Sequence, residues 1–221
     1  MRFVVCSGMA ALIALGGCVS YTITPPAAGP RASIGVAGQP PLSPVEYEEQ
    51  DISFKNRVLD EEESSLYRVR YIRFPSYGDN GQEDNLVTGR YYESKRPGKK
   101  PLVIIVPIPD GHTYPAEKMT AYLKSHSQGE VNIFNMTIDK DIVDWSGMAA
   151  AEDEAAFMQR LGRSAQREWT TVVDIRRTID WAEARPELDD ERIGLLGFSH
   201  GGFLAAGVAV QEPRLAATVL V

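Results

Sequence analysis

The sequence predicts an α/β fold: a doubly wound, mostly parallel sheet with helices on both faces. The chain has 221 residues, of which 43% are hydrophobic and 24% are charged, so it can bury the core of one domain. Short, continuous apolar runs recur along it, as in strands that are covered on both faces. Segments with helical spacing separate these runs, and repeated β–α–β units form parallel sheets.

Six segments have the composition of strands. In the first two, apolar and polar residues partly alternate and turn-forming sequence lies between them, which predicts a half-buried antiparallel pair. The third is the clearest continuous apolar run, and the remaining three follow it at intervals that leave room for helices. The predicted strands are residues 66–74, 86–92, 102–106, 131–136, 192–196 and 215–221.

Three helices are predicted between the later strands. The first covers residues 115–124, with Pro115 in the first turn, where its missing N–H costs nothing. The second has an apolar stripe at helical spacing from Trp169 to Ala182, and Pro186 ends it because proline disfavours helical backbone at the preceding residue. The third covers residues 203–210.

Three other segments lack such patterns. Residues 140–163 are less regular and predict an excursion over the sheet that supplies walls of a pocket. The acidic stretches at 46–51 and 60–63 predict solvated faces or turns, and no function is assigned to them.

Charge and cysteine content disfavour several classes of function. The chain has 23 Lys and Arg against 30 Asp and Glu, a formal net charge of -7, which disfavours a nucleic-acid partner. Its two cysteines form no C-x-x-C pair, which excludes a disulfide scaffold and a zinc ribbon. No metal site is predicted.

The amino terminus has the pattern of a targeting segment. Arg2 precedes an apolar run over residues 3–15, which is shorter than the roughly 20 residues that span a membrane and has the length of a signal-peptide core. The run ends in Leu15-Gly16-Gly17-Cys18, which resembles the lipobox of bacterial lipoproteins. The resemblance implies cleavage before Cys18 and acylation of that cysteine, so Cys6 would leave with the peptide. The alternative is an ordinary signal peptide in which Cys18 is incidental.

The predicted domain organisation follows from this segment. Residues 1–17 form the signal peptide, residues 18–46 a Pro/Gly-rich tether and residues 47–221 the folded domain. Six of the 14 prolines lie in the tether, which disfavours a helix or a central strand there. In lipoproteins an Asp after the lipidated cysteine favours the inner membrane. Val19 stands there, so we expect a lipid anchor in the outer membrane, facing the periplasm of a bacterial cell envelope.

A nucleophile elbow is predicted between the strand at 192–196 and the helix at 203–210. Gly197-Phe198-Ser199-His200-Gly201 has the pattern G-x-S-x-G, followed by Gly202. Glycines are needed because side chains at these positions would clash in so tight a turn. The turn would expose the hydroxyl of Ser199, and the N–H groups that begin the next helix would stabilise negative charge on a substrate oxygen.

Residues 190–202 resemble the α/β-hydrolase superfamily. The second trailing glycine, Gly202, is similar to the dienelactone-hydrolase-like, acetyl-xylan-esterase-like and prolyl-oligopeptidase-like branches. The resemblance covers residues 66–221, and only the elbow is specific. It implies a serine hydrolase of carboxylic esters or, less often, of peptides, with Ser199 as nucleophile, a small-molecule ester substrate and no metal or organic cofactor.

The resemblance also implies an oxyanion hole. One donor would be the N–H of His200, and the other would come from the loop at 107–112. Pro109 aligns with the usual second donor but has no N–H, which leaves Ile108 and Asp110 as candidates. His112, on the same loop, could lie near the mouth of the site, and His126 is expected in a solvated turn.

Two members of a serine triad have no clear candidate in the sequence. In this superfamily an Asp or Glu and then a His follow the nucleophile, but residues 200–221 contain only His200 and Glu212 of these types. His200, fixed beside the nucleophile, is expected to contribute its backbone N–H rather than a base, and Glu212 is expected in a turn.

The chain also stops inside an apolar run. We therefore expect the first two-thirds of an α/β-hydrolase fold, incomplete at the C-terminus and inactive as given. The alternatives are a prolyl-oligopeptidase-like peptidase, although no room exists for its usual propeller, and a non-catalytic lipoprotein that keeps the fold as a binding module.

Overall fold

The computed structural model describes residues 2–5, 19–22, 57–76, 85–109, 113–138 and 142–221, with the backbone alone for 2–5, 19–22 and 57–62. These residues form strands and helices that alternate after the first five strands. The strands are β1 (Arg2–Val5), β2 (Val19–Thr22), β3 (Arg57–Glu63), β4 (Tyr67–Pro75), β5 (Leu86–Ser94), β6 (Lys100–Val106), β7 (Asn132–Thr137), β8 (Leu188–Gly197) and β9 (Leu215–Leu220). The helices are α1 (Tyr114–Ser127), α2 (Trp145–Ala149), α3 (Glu154–Glu183) and α4 (His200–Gln211).

The described strands form one mixed sheet in the order β2-β1-β9-β8-β6-β7-β5-β4-β3. The neighbours from β1 to β7 are parallel, and the neighbours from β7 to β3 are antiparallel, as is β2 on β1. Helices α1, α3 and α4 connect successive parallel strands of this sheet. The predicted α/β fold class and the predicted β4–β5 pair are confirmed.

Alternation along the central strands explains why helices cover both faces. On β6, Ile104 and Val106 belong to one buried cluster, which includes Val172 of α3 and Leu204 of α4. Ile105, which points to the opposite face, belongs to a second cluster with Ala116 of α1. Helices therefore cover both faces of this apolar run, as its composition predicts.

The larger cluster is centred on Trp181 of α3, which is completely buried. Its ring stacks on Phe74 with centroids 5.7 Å apart, and lies edge to face against Tyr91 at 5.0 Å. These contacts attach the C-terminal half of α3 to the antiparallel side of the sheet.

Residues 142–163 supply a wall of a cleft, as predicted for the segment 140–163, but they are helical rather than irregular. Helix α2 begins after Asp144, whose side chain accepts a hydrogen bond from Gly147 N at 2.8 Å. Helix α3 begins after Asp153, whose side chain accepts from Ala156 N at 2.7 Å. The first turns of α3 are mostly exposed, and their short apolar stripe of Phe157 and Leu161 lines the cleft instead of the core.

The predicted turn or solvated face at residues 60–63 is part of β3, which pairs antiparallel with β4 at the end of the sheet. Charged residues are common on edge strands because they discourage pairing with other chains. At the opposite end, β2 lies in the predicted tether and β1 in the predicted signal peptide. Cleavage of residues 1–17 stays a prediction, and it would remove β1 from its pairing with β9.

Glu212 is buried, which corrects its prediction as a simple turn residue. It follows α4 directly and accepts two hydrogen bonds from the guanidinium of Arg214, each 2.7 Å long. Arg176 Nε lies 3.3 Å from the same carboxylate, and Arg214 also donates to Asp180 at 2.8 Å. This ion-pair network connects α3 to the segment between α4 and β9.

The network shifts the pKa values of its two most buried carboxyls. Burial alone would raise the pKa of Glu212, but the hydrogen bonds and charge of Arg214 outweigh it and hold that pKa below the usual value of 4.5. Burial raises the pKa of Asp180 to about 6, since Arg214 only partly offsets the loss of hydration.

We predict that Glu212→Gln lowers the free energy of unfolding at pH 7 by about 1–3 kcal/mol, because it removes a charge from hydrogen bonds to arginine. A folded-state pKa below the unfolded one stabilises the fold above the unfolded pKa, and this stabilisation disappears as the pH falls through the folded pKa. The deficit of the variant should therefore shrink below about pH 4.5, where Asp180 is already protonated.

Urea denaturation from pH 3 to 8 measures this difference. Glu152→Gln, at an exposed position before α3, is the control and should follow the wild type throughout. A deficit that is equal at pH 3.5 and pH 7 would contradict the role assigned to the charge of Glu212.

Candidate active site

Ser199 lies in a strained turn between β8 and α4. Its backbone has φ 49° and ψ -118°, a left-handed φ that costs a non-glycine residue about 1–3 kcal/mol. Three hydrogen bonds hold the turn: Ser199 N donates to Val221 O at 2.6 Å, Phe198 N to Val106 O at 3.1 Å and Gly202 N to Ser199 O at 2.8 Å. The turn is therefore fixed from both neighbouring strands.

The glycines of the motif differ in how strictly the turn requires them. A Cβ on Gly197 would overlap the backbone of Gly201, and a Cβ on Gly201 would overlap the carbonyl oxygens of Pro107 and Val106. A Cβ on Gly202 would meet its nearest neighbour, Gly197 O, at 3.4 Å, which is close to ordinary contact. Close backbone approach thus explains Gly197 and Gly201 better than Gly202.

Ser199 is exposed and lines a cleft of about 880 Å³. Helices α2 and α3 form one wall, and the start of α4 forms the other. The lining residues are Val143, Trp145, Met148, Ala149, Phe157, Leu161, Ser164, Ala165, Glu168, Ser199, His200 and Phe203.

The imidazole of His200 is bound to a residue that the sequence analysis did not identify. Nε2 of His200 donates to Oε1 of Glu168 on α3 across 2.9 Å, and both groups are partly exposed. Glu168 lies one helical turn before Val172, on the same face as the predicted apolar stripe. This spacing is the only feature of the sequence that could have indicated that Glu168 faces α4.

The predicted oxyanion donors are described in part. The N–H of His200 is at the first position of α4, where no intrahelical acceptor exists and the helix dipole favours negative charge. The loop after β6 reaches the elbow, since Pro107 O lies beside Gly201. The side chain of Ile108 packs against the cluster on the α1 face. Asp110 and His112 lie outside the described residues, so the second donor stays a prediction.

The described residues supply no second histidine to the cleft. His126 is exposed, as predicted, but it lies in the last turn of α1, and its ring stacks on Tyr122 with centroids 3.9 Å apart. Glu212 is engaged by arginines, as described above. Within the described ranges, no three His, Cys, Asp or Glu side chains are grouped as metal ligands.

Comparison with known proteins identifies the family. Residues 87–221 match the dienelactone hydrolase family, and this match includes β6, the elbow and α4. The chain belongs to the dienelactone hydrolase family. A comparison with curated protein sequences found no significant match.

Solved structures with a similar fold include several esterases. Acetyl xylan esterase 1 from Thermoanaerobacterium sp. JW/SL YS485 has a TM-score of 0.50 and 18% identity, over 76% of this chain and 54% of that one. A putative acetyl xylan esterase from Bacteroides fragilis has a TM-score of 0.55 and 11% identity, over 79% of this chain and 49% of that one. The acetyl xylan esterase from Paenibacillus sp. R4 has a TM-score of 0.51 and 17% identity, over 76% of this chain and 54% of that one. The chain thus spans about half the length of these structures, and the likeness concerns the fold.

None of the helices in the described ranges combines the length and the apolar character that a membrane span requires.

We predict that Gly201→Ala lowers the free energy of unfolding by about 1–3 kcal/mol, because the new methyl group must displace the carbonyls of Pro107 and Val106. Gly162→Ala is the matched control. Its Cβ would enter open space on the exposed face of α3, so it should raise the free energy of unfolding by about 0.5–1 kcal/mol. Urea denaturation of both variants measures the contrast. Equal effects of the two variants would show that the elbow is not closely packed against β6.

Proposed function

We propose that this protein is a serine hydrolase of carboxylic esters and that Ser199 is its nucleophile. The observation that carries the proposal is the strained backbone of Ser199, with its side chain exposed in a cleft and the first turn of α4 directly behind it. Strain of this kind persists where the surrounding structure imposes it, and it is concentrated at functional sites. Membership of the dienelactone hydrolase family supports the same reaction class.

In this mechanism Ser199 Oγ attacks the ester carbonyl, and its proton passes to a histidine base. The oxyanion that forms accepts hydrogen bonds from the N–H of His200 and from one N–H of the loop after β6, at Ile108 or Asp110. The alcohol then leaves with the proton of the base, and water releases the acid from the acyl-enzyme.

The base itself has no candidate among the described side chains of the cleft. His200 Nε2 is bound to Glu168, and Glu212 is bound to arginines at the opposite end of α4 from Ser199. We therefore propose that residues 1–221 alone have little or no activity of the triad type.

A fluorophosphonate probe tests this function, because it reacts covalently with activated serines. The protein expressed from its complete gene should be labelled at Ser199, and Ser199→Ala should abolish the labelling. Ser125→Ala, on the exposed side of α1, should leave it unchanged.

Residues 1–221 expressed alone should react no faster than the Ser199→Ala variant. If the complete, folded protein is not labelled, the family fold serves binding rather than hydrolysis. If it cleaves peptide amides as well as esters, the peptidase alternative is correct. Strong labelling of residues 1–221 would contradict the proposal that a base is missing.

We also propose that the protein is anchored in the bacterial outer membrane by lipid on Cys18. The support is the apolar run at 3–15 followed by Leu15-Gly16-Gly17-Cys18. Acyl chains contribute about 0.8 kcal/mol for each buried CH₂, so two or more chains hold a protein stably at a membrane.

Cys18→Ser should release the protein from the membrane fraction and abolish incorporation of labelled palmitate. Cys6→Ser is the matched control, because it changes the other cysteine within the apolar run and should alter neither readout. Membrane fractionation that is the same for both variants would rule out the anchor at Cys18.

A further inference from the structure

The cleft above Ser199 is lined mainly by apolar side chains. Trp145 of α2, Phe157 and Leu161 of α3 and Phe203 of α4 stand around the exposed serine. Resting on the proposed function, we infer that the substrate is an ester with a large apolar acyl or alcohol group, rather than an acetylated sugar.

Three polar side chains of the cleft are each bound to another residue through one atom. His200 Nε2 and Glu168 Oε1 bind each other at 2.9 Å. Ser164 is buried, and its Oγ accepts a hydrogen bond from Asp144 N at 3.3 Å. A sugar ring needs a hydrogen-bond partner for each hydroxyl that leaves water, since an unpaired buried hydroxyl is costly. The described walls offer few such partners besides Ser199.

The size of the cleft also favours a substrate larger than a simple acetyl ester. Its volume of about 880 Å³ lies in the range of about 300–1,000 Å³ that is typical of sites for organic ligands, and the cleft is open to solvent along these walls. An acetyl group at Ser199 would leave the walls formed by Phe157 and Leu161 in contact with water.

Several side chains that line the cleft are exposed to solvent. The exposed fraction is 69% for Trp145 and 79% for Phe203, and it is 41% for both Phe157 and Leu161. An apolar group between the two walls would remove water from all four surfaces at once. Each methylene that leaves water in this way tightens binding about fourfold.

Binding of methyl ketones tests this inference without any catalytic step. Ketones have the carbonyl of an ester but cannot be hydrolysed, and 2-nonanone has four more methylenes than 2-pentanone. We expect 2-nonanone to bind at least about tenfold more tightly, and up to about 200-fold if all four methylenes leave water. The residues that provide the readout are Met148, which lines the cleft, and Met158, which does not. In protein labelled with ¹³C at the methionine methyls, only the Met148 signal should shift.

Leu161→Asp should weaken the binding of 2-nonanone by about tenfold or more, because it places a charge in the apolar wall. Met158→Asp adds the same charge to the same exposed helix but outside the cleft, so its affinity should equal that of the wild type. Circular dichroism establishes that both variants are folded.

Three outcomes would overturn the inference: equal affinity for the two ketones, equal effects of the two Asp variants, or tighter binding of an acetylated methyl xyloside than of 2-nonanone. Octanoate and 1-octanol, compared in the same titration, distinguish an apolar acyl group from an apolar alcohol. Because this test measures binding alone, it can succeed or fail independently of the labelling of Ser199. Labelling without ketone selectivity would leave the hydrolase intact and refute only the substrate class.

Discussion

The structure depends on one constraint: the turn at Ser199 must fit between the carboxyl ends of β6 and β9. Phe198 N and Ser199 N donate to carbonyls of these two strands, so the turn is tied to both neighbours of β8. Gly201 lies so close to the carbonyls of Val106 and Pro107 that a Cβ there would overlap both oxygens. The strain at Ser199 is the cost of this fit, and the hydrogen bonds on either side maintain it.

Helix α3 has different roles in its two halves. The C-terminal half places Trp181 in the aromatic core and joins the ion-pair network around Glu212 and Arg214. The N-terminal half extends past the sheet and forms a wall of the cleft. Glu168 lies between these parts, and its contact with His200 attaches the wall to the start of α4. One continuous helix thus connects the core of the domain with the candidate site.

The sequence predicted the elements whose buried residues follow a regular apolar pattern, and it missed the elements without such a pattern. The run at 102–106 and the G-x-S-x-G turn were located because apolar continuity and glycines are local signals. The start of α3 was missed because its apolar stripe is short, interrupted by Gly162 and exposed at the cleft. Strand β3 was missed because an edge strand can be acidic. Glu168 could not be assigned a partner, since its contact with His200 depends on how α3 packs against α4. Arg214 is only two residues from Glu212, but the contacts of this pair with Arg176 and Asp180 also depend on that packing.

The exposed position of the cleft wall separates two requirements within α3. Side chains such as Phe157 and Leu161 stand on turns of α3 that contribute little to the interior. We expect substitutions of these side chains to change the surface of the cleft and to leave the contacts of the buried core intact. The residues that line the cleft and the residues that fill the core therefore lie on separate stretches of one helix.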